Sequence, residues 1–255
     1  MNVLCDLDGV IWLAEDPIPG SPEAVERLRA AGHRVLFLTN NSNPTVADLV
    51  GKLGRMGIPA GPDDVATSSQ AAALLVEPGQ TALVCGGNGV AEALETRGAK
   101  TVKEGEADAV VVGFHREFDY NRLTAAYRAV AAGARLIGTN DDPTYPTPNG
   151  PVPGGGSLLA AVATAAGVKA TVAGKPNRAM ADLVAARLSD DLDGAVLVGD
   201  RPSTDGLMAA RLGVPFVLVR TGVKEEPAGT ISVEWEAADL ASAVDDEGNV
   251  GGLSP

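Results

Sequence analysis

Cysteine is scarce in this chain: Cys5 and Cys85 are the only two among 255 residues. Two thiols do not make a disulfide framework at this length, so a reducing compartment is the default expectation. Long apolar runs are missing too, since no stretch approaches the roughly 20 residues needed to cross a bilayer. The first apolar run opens within two residues of Met1, which leaves no room for a signal peptide ahead of it. A cytoplasmic location is expected on these grounds. Basic charge is in deficit, with 20 Lys and Arg against 33 Asp and Glu and a formal net charge of -13. That balance disfavours nucleic acid and membrane surfaces as partners. An anionic small molecule would need a local basic pocket.

What is present is a regular alternation. Short apolar runs recur at 3–5, 35–38, 82–85, 109–112, 135–138, 170–173, 195–198 and 214–219. Stretches with helical spacing lie between them. Ser21-Pro22-Glu23 opens one, with Ser21 as its expected N-cap, and Asn43-Pro44-Thr45 opens another. Residues 119–132 and 177–188 are further helix candidates. Apolar strands alternating with helices predict an α/β fold, a doubly wound and mostly parallel sheet covered on both faces. Pro78-Gly79 is a turn signal and a candidate hinge. The segment 79–167 has its own strand–helix alternation and a loop rich in Pro and Gly at 140–156. It reads as an inserted α/β domain, so that 1–78 and 168–255 form one discontinuous core. The tail from Asp245 onward is acidic, then Gly-rich, and is expected to fray.

Asp6-Leu7-Asp8-Gly9-Val10 follows the first apolar run. It places two carboxylates one residue apart where a buried strand meets a loop. Buried charge is costly unless it is paired or bound to a metal, and two carboxylates raise that cost. Thr39, Lys175 and Asp200 stand at or just past three other strand ends. Ligands in open α/β sheets bind outside the carboxyl ends of the strands, so these groups are candidates for one site. Each has a plainer reading when taken alone. A strand-end Asp can cap a turn, Thr39 can be a turn hydroxyl, Asp200 a helix N-cap, and Gly-Lys-Pro can arise by chance.

Taken together, Asp6-Leu7-Asp8-Gly9-Val10, Thr39-Asn40-Asn41, Gly174-Lys175-Pro176 and Gly199-Asp200-Arg201 with Asp205 resemble the motifs of the haloacid dehalogenase (HAD) superfamily, in that family's order. They are most similar to its NagD-like, p-nitrophenylphosphatase-like branch, which carries a large α/β cap where the insertion falls here. The resemblance implies a phosphomonoester hydrolase. Asp6 would be the nucleophile that forms an aspartyl-phosphate, and Asp8 the general acid/base. Mg²⁺ would be held by the Asp6 side chain, the Asp8 backbone carbonyl and Asp200, with Asp205 in the surrounding shell. Thr39 and the Asn40 N–H would bind the phosphoryl oxygens, and Lys175 would neutralise charge. Gly9 and Gly199 would let the backbone approach the anion closely.

The substrate implied is a small phosphate ester: a sugar phosphate, phosphoglycolate, glycerol phosphate or nucleoside monophosphate. A homodimer through the cap is common in this branch. Two rival readings keep the fold, namely a phosphate- or nucleotide-binding module with little turnover, and a phosphotransferase to an alcohol. His115 stands where the branch often has an acidic residue, a departure that suggests a changed substrate contact, though a solvated surface residue is the favoured expectation. Asn140 and Asp142 match the cap's Thr-Asn-x-Asp signature and either hold the cap loop or touch substrate, a role for which Arg116 and Tyr145 are weaker candidates. Cys5 and Cys85 are expected to be buried strand residues. Gly86-Gly87-Asn88-Gly89 lacks the spacing of a dinucleotide fingerprint.

Overall fold

The computed structural model describes residues 1–145, 150–229 and 231–253. Residues 146–149 of the expected Pro- and Gly-rich loop lie outside them. The chain divides into two compact units, one of Met1–Thr39, Leu49–Ala66 and Val184–Pro255, the other of Asn40–Asp48 and Thr67–Leu183.

The first unit is built on a six-stranded sheet. Its order is Trp235–Ala237, Phe216–Val219, Val196–Gly199, Asn2–Asp6, Arg34–Thr39, Val65–Thr67. The pairings from Trp235–Ala237 through Arg34–Thr39 are parallel. Side chains alternate across a strand, so register decides which residues share a face. Val3 lies opposite Val35 and Val196, and Cys5 opposite Phe37 and Val198. All six join one buried cluster with Val217 and Val219. Leu4, Leu36 and Leu197 alternate with them and are buried as well. Burial on both faces explains why these strands read as continuous apolar runs. The helix Ser21–Ala30 closes one face with Ala24, Val25 and Leu28.

Two details differ from the sequence reading. Gly20, in the left-handed region at φ 80°, is the N-cap of the first helix, and Ser21 lies inside it. The Ser21 hydroxyl donates instead to the Val10 carbonyl at 2.8 Å, tying the helix to the loop after the first strand. The tail does not fray through residue 253. Val250 is fully buried in the first unit's core, the Gly251 N–H donates to Ala243 O at 2.8 Å, and the Arg27 guanidinium donates to the carbonyls of Ala241, Val244 and Asp245. An apolar valine among the tail glycines supplied the anchor. Ser254 and Pro255 lie outside the described residues.

The second unit has a five-stranded parallel sheet in the order Thr171–Val172, Arg135–Gly138, Ala109–Val112, Thr81–Cys85, Lys100–Val102. Its core is separate, formed by Leu83, Cys85, Val110 and Val112 with Ala126, Val130, Leu159 and Val162 from two helices. The helix Tyr120–Ala131 starts where expected, because the Asp119 carboxylate accepts the Arg122 N–H at 2.7 Å. A two-stranded antiparallel ribbon joins Thr144–Tyr145 to Val152–Pro153. Among the described residues no helix is long and apolar enough to cross a membrane.

Candidate active site

Asp6 is the last residue of the central strand of the first unit, Thr39 ends the neighbour on one side, and Asp200 follows the neighbour on the other. Chain order reverses at this strand, and all three residues stand at carboxyl ends, where such sheets place their ligands. The chain then turns sharply. The Leu7 carbonyl accepts the N–H groups of Ile11 (2.9 Å) and Trp12 (3.2 Å), and the Gly9 N–H donates to Trp12 O at 2.8 Å. Gly9 holds φ +93°, and a Cβ there would sit 2.5 Å from an Asp200 carboxylate oxygen. A side chain at residue 9 is therefore excluded twice, by the backbone angle and by Asp200. Gly199 likewise makes room for Asp205, whose Cβ would lie 2.4 Å from an added Cβ. Both glycines thus admit neighbouring carboxylate side chains, where the sequence reading had them approach the anion.

The carboxylates of Asp6, Asp200 and Asp205 gather, with one oxygen of each within 4.8 Å of the others. All three residues are buried. One oxygen of Asp200 accepts the Val223 N–H at 2.5 Å, and one of Asp205 accepts the Arg201 N–H at 3.1 Å. Three like charges so close together and out of water call for a cation. An all-oxygen set suits a hard divalent ion such as Mg²⁺, which keeps several waters and takes few protein ligands. The donor set therefore fits the metal expected from the sequence.

The Asp8 carboxylate is held differently. Its Oδ1 accepts the Trp12 indole N–H at 3.0 Å, and its Oδ2 accepts the Thr39 hydroxyl at 3.2 Å. Trp12 is almost wholly buried, and the Lys52 ammonium lies 4.3 Å from the centre of its ring. Lys52 also donates to Ala14 O and pairs with Glu15 at 3.5 Å. Sequence reasoning did not select Trp12. Its spacing of four residues from Asp8 was the one available signal, and only the turn gives that spacing meaning.

The other two predicted residues, Asn40 and Lys175, are in the second unit and meet there. The Asn40 carboxamide grips the Lys175 backbone on both sides. Its Oδ1 accepts the Lys175 N–H at 2.8 Å, and its Nδ2 donates to Lys175 O at 3.1 Å. Nδ2 also donates to the Asp142 carboxylate at 3.1 Å. The Asn40 carbonyl accepts from Asn140 Nδ2 (2.7 Å) and from the Ser68 hydroxyl (2.8 Å). Lys175 is buried, only 2% exposed. Asn140 and Asp142 therefore hold the loop against the Asn40–Lys175 pair. The structure assembles the predicted residues as two groups, each within its own unit.

His115 corrects the expectation of a surface residue: it is buried, with Phe118 edge-on at 5.8 Å. Its Nδ1 lies 3.1 Å from Gly113 O, the geometry of an Nδ1–H donor, and its Nε2 has no partner among the described residues. Tyr145 stacks on Phe114 at 5.2 Å. Both cysteines are buried in strands, and burial pushes the Cys85 thiol up to about 11, so it behaves as a small apolar side chain. Gly87 caps the helix Asn88–Thr96, and Gly89 in its first turn packs against Pro44 O, a structural use of that glycine run.

Comparison with known proteins gives a consistent picture. A haloacid dehalogenase-like hydrolase family model matches residues 3–100, and a HAD-hydrolase-like model matches residues 172–244. Glycerol-3-phosphate phosphatase of Homo sapiens is 38% identical over 254 residues, covering 87% of this chain and 79% of that protein. Acid sugar phosphatase of Staphylococcus haemolyticus is 35% identical over 226 residues, covering 86% of this chain and 85% of that protein. Among solved structures, glycerol phosphate phosphatase from Mycobacterium tuberculosis in complex with magnesium superposes with a TM-score of 0.86 at 33% identity, covering 94% of this chain and 75% of that one. With its strand-end carboxylates and these matches along most of its length, the chain belongs to the haloacid dehalogenase-like hydrolase family.

Proposed function

We propose that this chain is a Mg²⁺-dependent phosphomonoester hydrolase that works through an aspartyl-phosphate on Asp6. The gathering of Asp6, Asp200 and Asp205 beside a separately held Asp8 carries this reading. The relatives named for glycerol phosphate and acid sugar phosphate favour a small polyol or sugar phosphate as substrate.

Asp6, Asp200 and Asp205 would hold Mg²⁺ with the Asp8 backbone carbonyl. The ion supplies positive charge against the repulsion between a carboxylate nucleophile and an anionic ester. The remaining work falls to side chains of the chain itself. Thr39 and the Asn40 N–H orient the phosphoryl oxygens, and Lys175 neutralises the charge spread over them. An Asp6 oxygen forms a bond to phosphorus as the bond to the ester oxygen breaks. The departing oxygen keeps the electron pair and takes the proton from Asp8. Water then attacks phosphorus, its proton returns to Asp8, the Asp6 carboxylate is released, and orthophosphate leaves. This reading requires Lys175 and Asn40 to grip the same phosphoryl group as Asp6 and Thr39.

Residues 79–167 serve in this reading as a cap that excludes bulk water and selects the leaving group. The partner is a small-molecule ester and not nucleic acid, in keeping with the net charge of -13. The scarcity of cysteine supports a cytoplasmic location, and a homodimer through the cap has only the family resemblance as its support. The test is phosphate release from glycerol 3-phosphate and a panel of sugar phosphates, with Mg²⁺ and with EDTA. Mg²⁺-dependent release is expected. Negligible turnover in both conditions would leave a binding module, and phosphate transferred to added alcohols in preference to water would make the chain a phosphotransferase.

A further inference from the structure

We infer that Trp12 is a positioning residue that assigns the acid/base proton to one oxygen of Asp8. The inference rests on the hydrolase reading above and adds to it a residue beyond the motif residues quoted there.

An indole N–H can only donate, so the oxygen it binds must accept. With Trp12 Nε1 3.0 Å from Asp8 Oδ1, that oxygen is held as an acceptor, and a proton placed on it would weaken the contact. On the hydrolase reading, the acid/base proton of Asp8 is therefore favoured on Oδ2 over Oδ1. There the partner is the Thr39 hydroxyl at 3.2 Å, which both donates and accepts and so tolerates either state of Asp8. On the hydrolase reading Thr39 also holds the phosphoryl group, so the proton is kept on the carboxyl oxygen that faces the reaction.

The ring is well placed to enforce this choice. It is 1% exposed, lies within the first unit's apolar core, and has the Lys52 ammonium against its face. The turn closed by the Leu7 carbonyl sets its distance from Asp8. A carboxyl rotated by one oxygen would still be an acid, but with its proton pointed at Trp12.

The consequence depends on the leaving group. An alkoxide leaves badly without a proton, whereas p-nitrophenolate leaves without one. Both esters share the same nucleophile and phosphate contacts. Trp12→Phe keeps an aromatic ring and removes the N–H. The expected result is a fall of about tenfold or more in kcat/KM for glycerol 3-phosphate, part of the 10²–10⁴ that a general acid contributes. For p-nitrophenyl phosphate kcat/KM should change by less than about threefold, because protonation adds little to that bond cleavage.

The ratio of the two values, measured on one preparation, is independent of the fraction of folded enzyme, so simple destabilisation does not move it. Should Trp12→Phe fail to fold, 3-benzothienylalanine, which has sulfur in place of the N–H and nearly the same shape, is incorporated at both tryptophan positions. A Trp235→Phe background confines the change to residue 12. An unchanged ratio in the folded variant, or equal losses on both esters, overturns the inference while leaving the hydrolase reading intact. Absence of turnover by the unaltered protein on either ester overturns both.

Discussion

The two units handle buried polar groups in opposite ways. In the first, Asp6 and Asp200 at the ends of adjoining parallel strands meet Asp205 from the helical turn that follows, with one oxygen of each within 4.8 Å of the others. In the second, the polar centre is an amide and hydroxyl network. Asn40 joins Asn140, Asp142, Ser68 and both backbone groups of Lys175 by hydrogen bonds of 2.7 to 3.1 Å. The first arrangement is costly as it stands and gains from a cation. The second orients its lysine through the backbone. Carboxylates crowded together mark where a cation is favoured, whereas an amide bonded to both sides of a lysine backbone marks where position is being set.

Four perturbations sharpen this contrast, from the largest effect downward. Asp6→Asn removes the proposed nucleophile and should lower turnover roughly 10⁴–10⁶-fold. Thermal unfolding should show a fold as stable as before or more so, because one of three crowded charges is gone. Retained activity in a pure sample would contradict the covalent route. Asp8→Asn should cost about 10²–10⁴ in rate, yet leave Mg²⁺ affinity by calorimetry nearly unchanged, since the Asp8 carboxylate lies outside the three-carboxylate cluster. A large loss of Mg²⁺ affinity would place Asp8 among the metal's side-chain ligands.

Asn40→Ala acts on the other unit. It removes three hydrogen bonds, each contributing about 0.5–1.5 kcal/mol, and should destabilise the second unit by a few kcal/mol. Activity should fall while Mg²⁺ affinity stays the same. A parallel loss of Mg²⁺ binding would show that the two networks are not separate. The smallest effect concerns His33, buried in the first unit with Nδ1 3.2 Å from the Met1 amino group. Burial foremost, then that positive charge, lowers its pKa below the ordinary 6.5. The unfolded chain therefore takes up the proton first as pH falls. The contribution of neutral His33 to stability is complete above pH 6.5 and is lost as pH drops through the lower folded value. Unfolding temperature should decline across that window, and His33→Gln should flatten the decline. An unchanged slope in that variant would assign the acid sensitivity to other groups.

Much of this was legible in the chain. Apolar runs at 3–5, 35–38 and 195–198 are strands because burial on both faces leaves no polar alternation to blur them. The motif residues could be placed at strand ends by counting from those runs. His115 was misjudged because a lone histidine after an apolar run carries no periodic sign of burial, and its enclosure depends on Phe118 and the sheet beneath. The short strands Val65–Thr67, Lys100–Val102 and Trp235–Ala237 lacked apolar runs of their own and exist as strands because a neighbour pairs with them.

Composition and order along the chain sufficed for the α/β class and the family, since these follow from residue types and one-dimensional spacing. Folding had to be complete before Trp12 met Asp8, Asn40 took hold of Lys175, and Asp6 faced Asp200 and Asp205 from the other end of the chain. Hydrogen bonds and charge clusters depend on angstrom-scale distances, and backbone turns and sheet register set those distances between residues that sequence separation leaves unrelated.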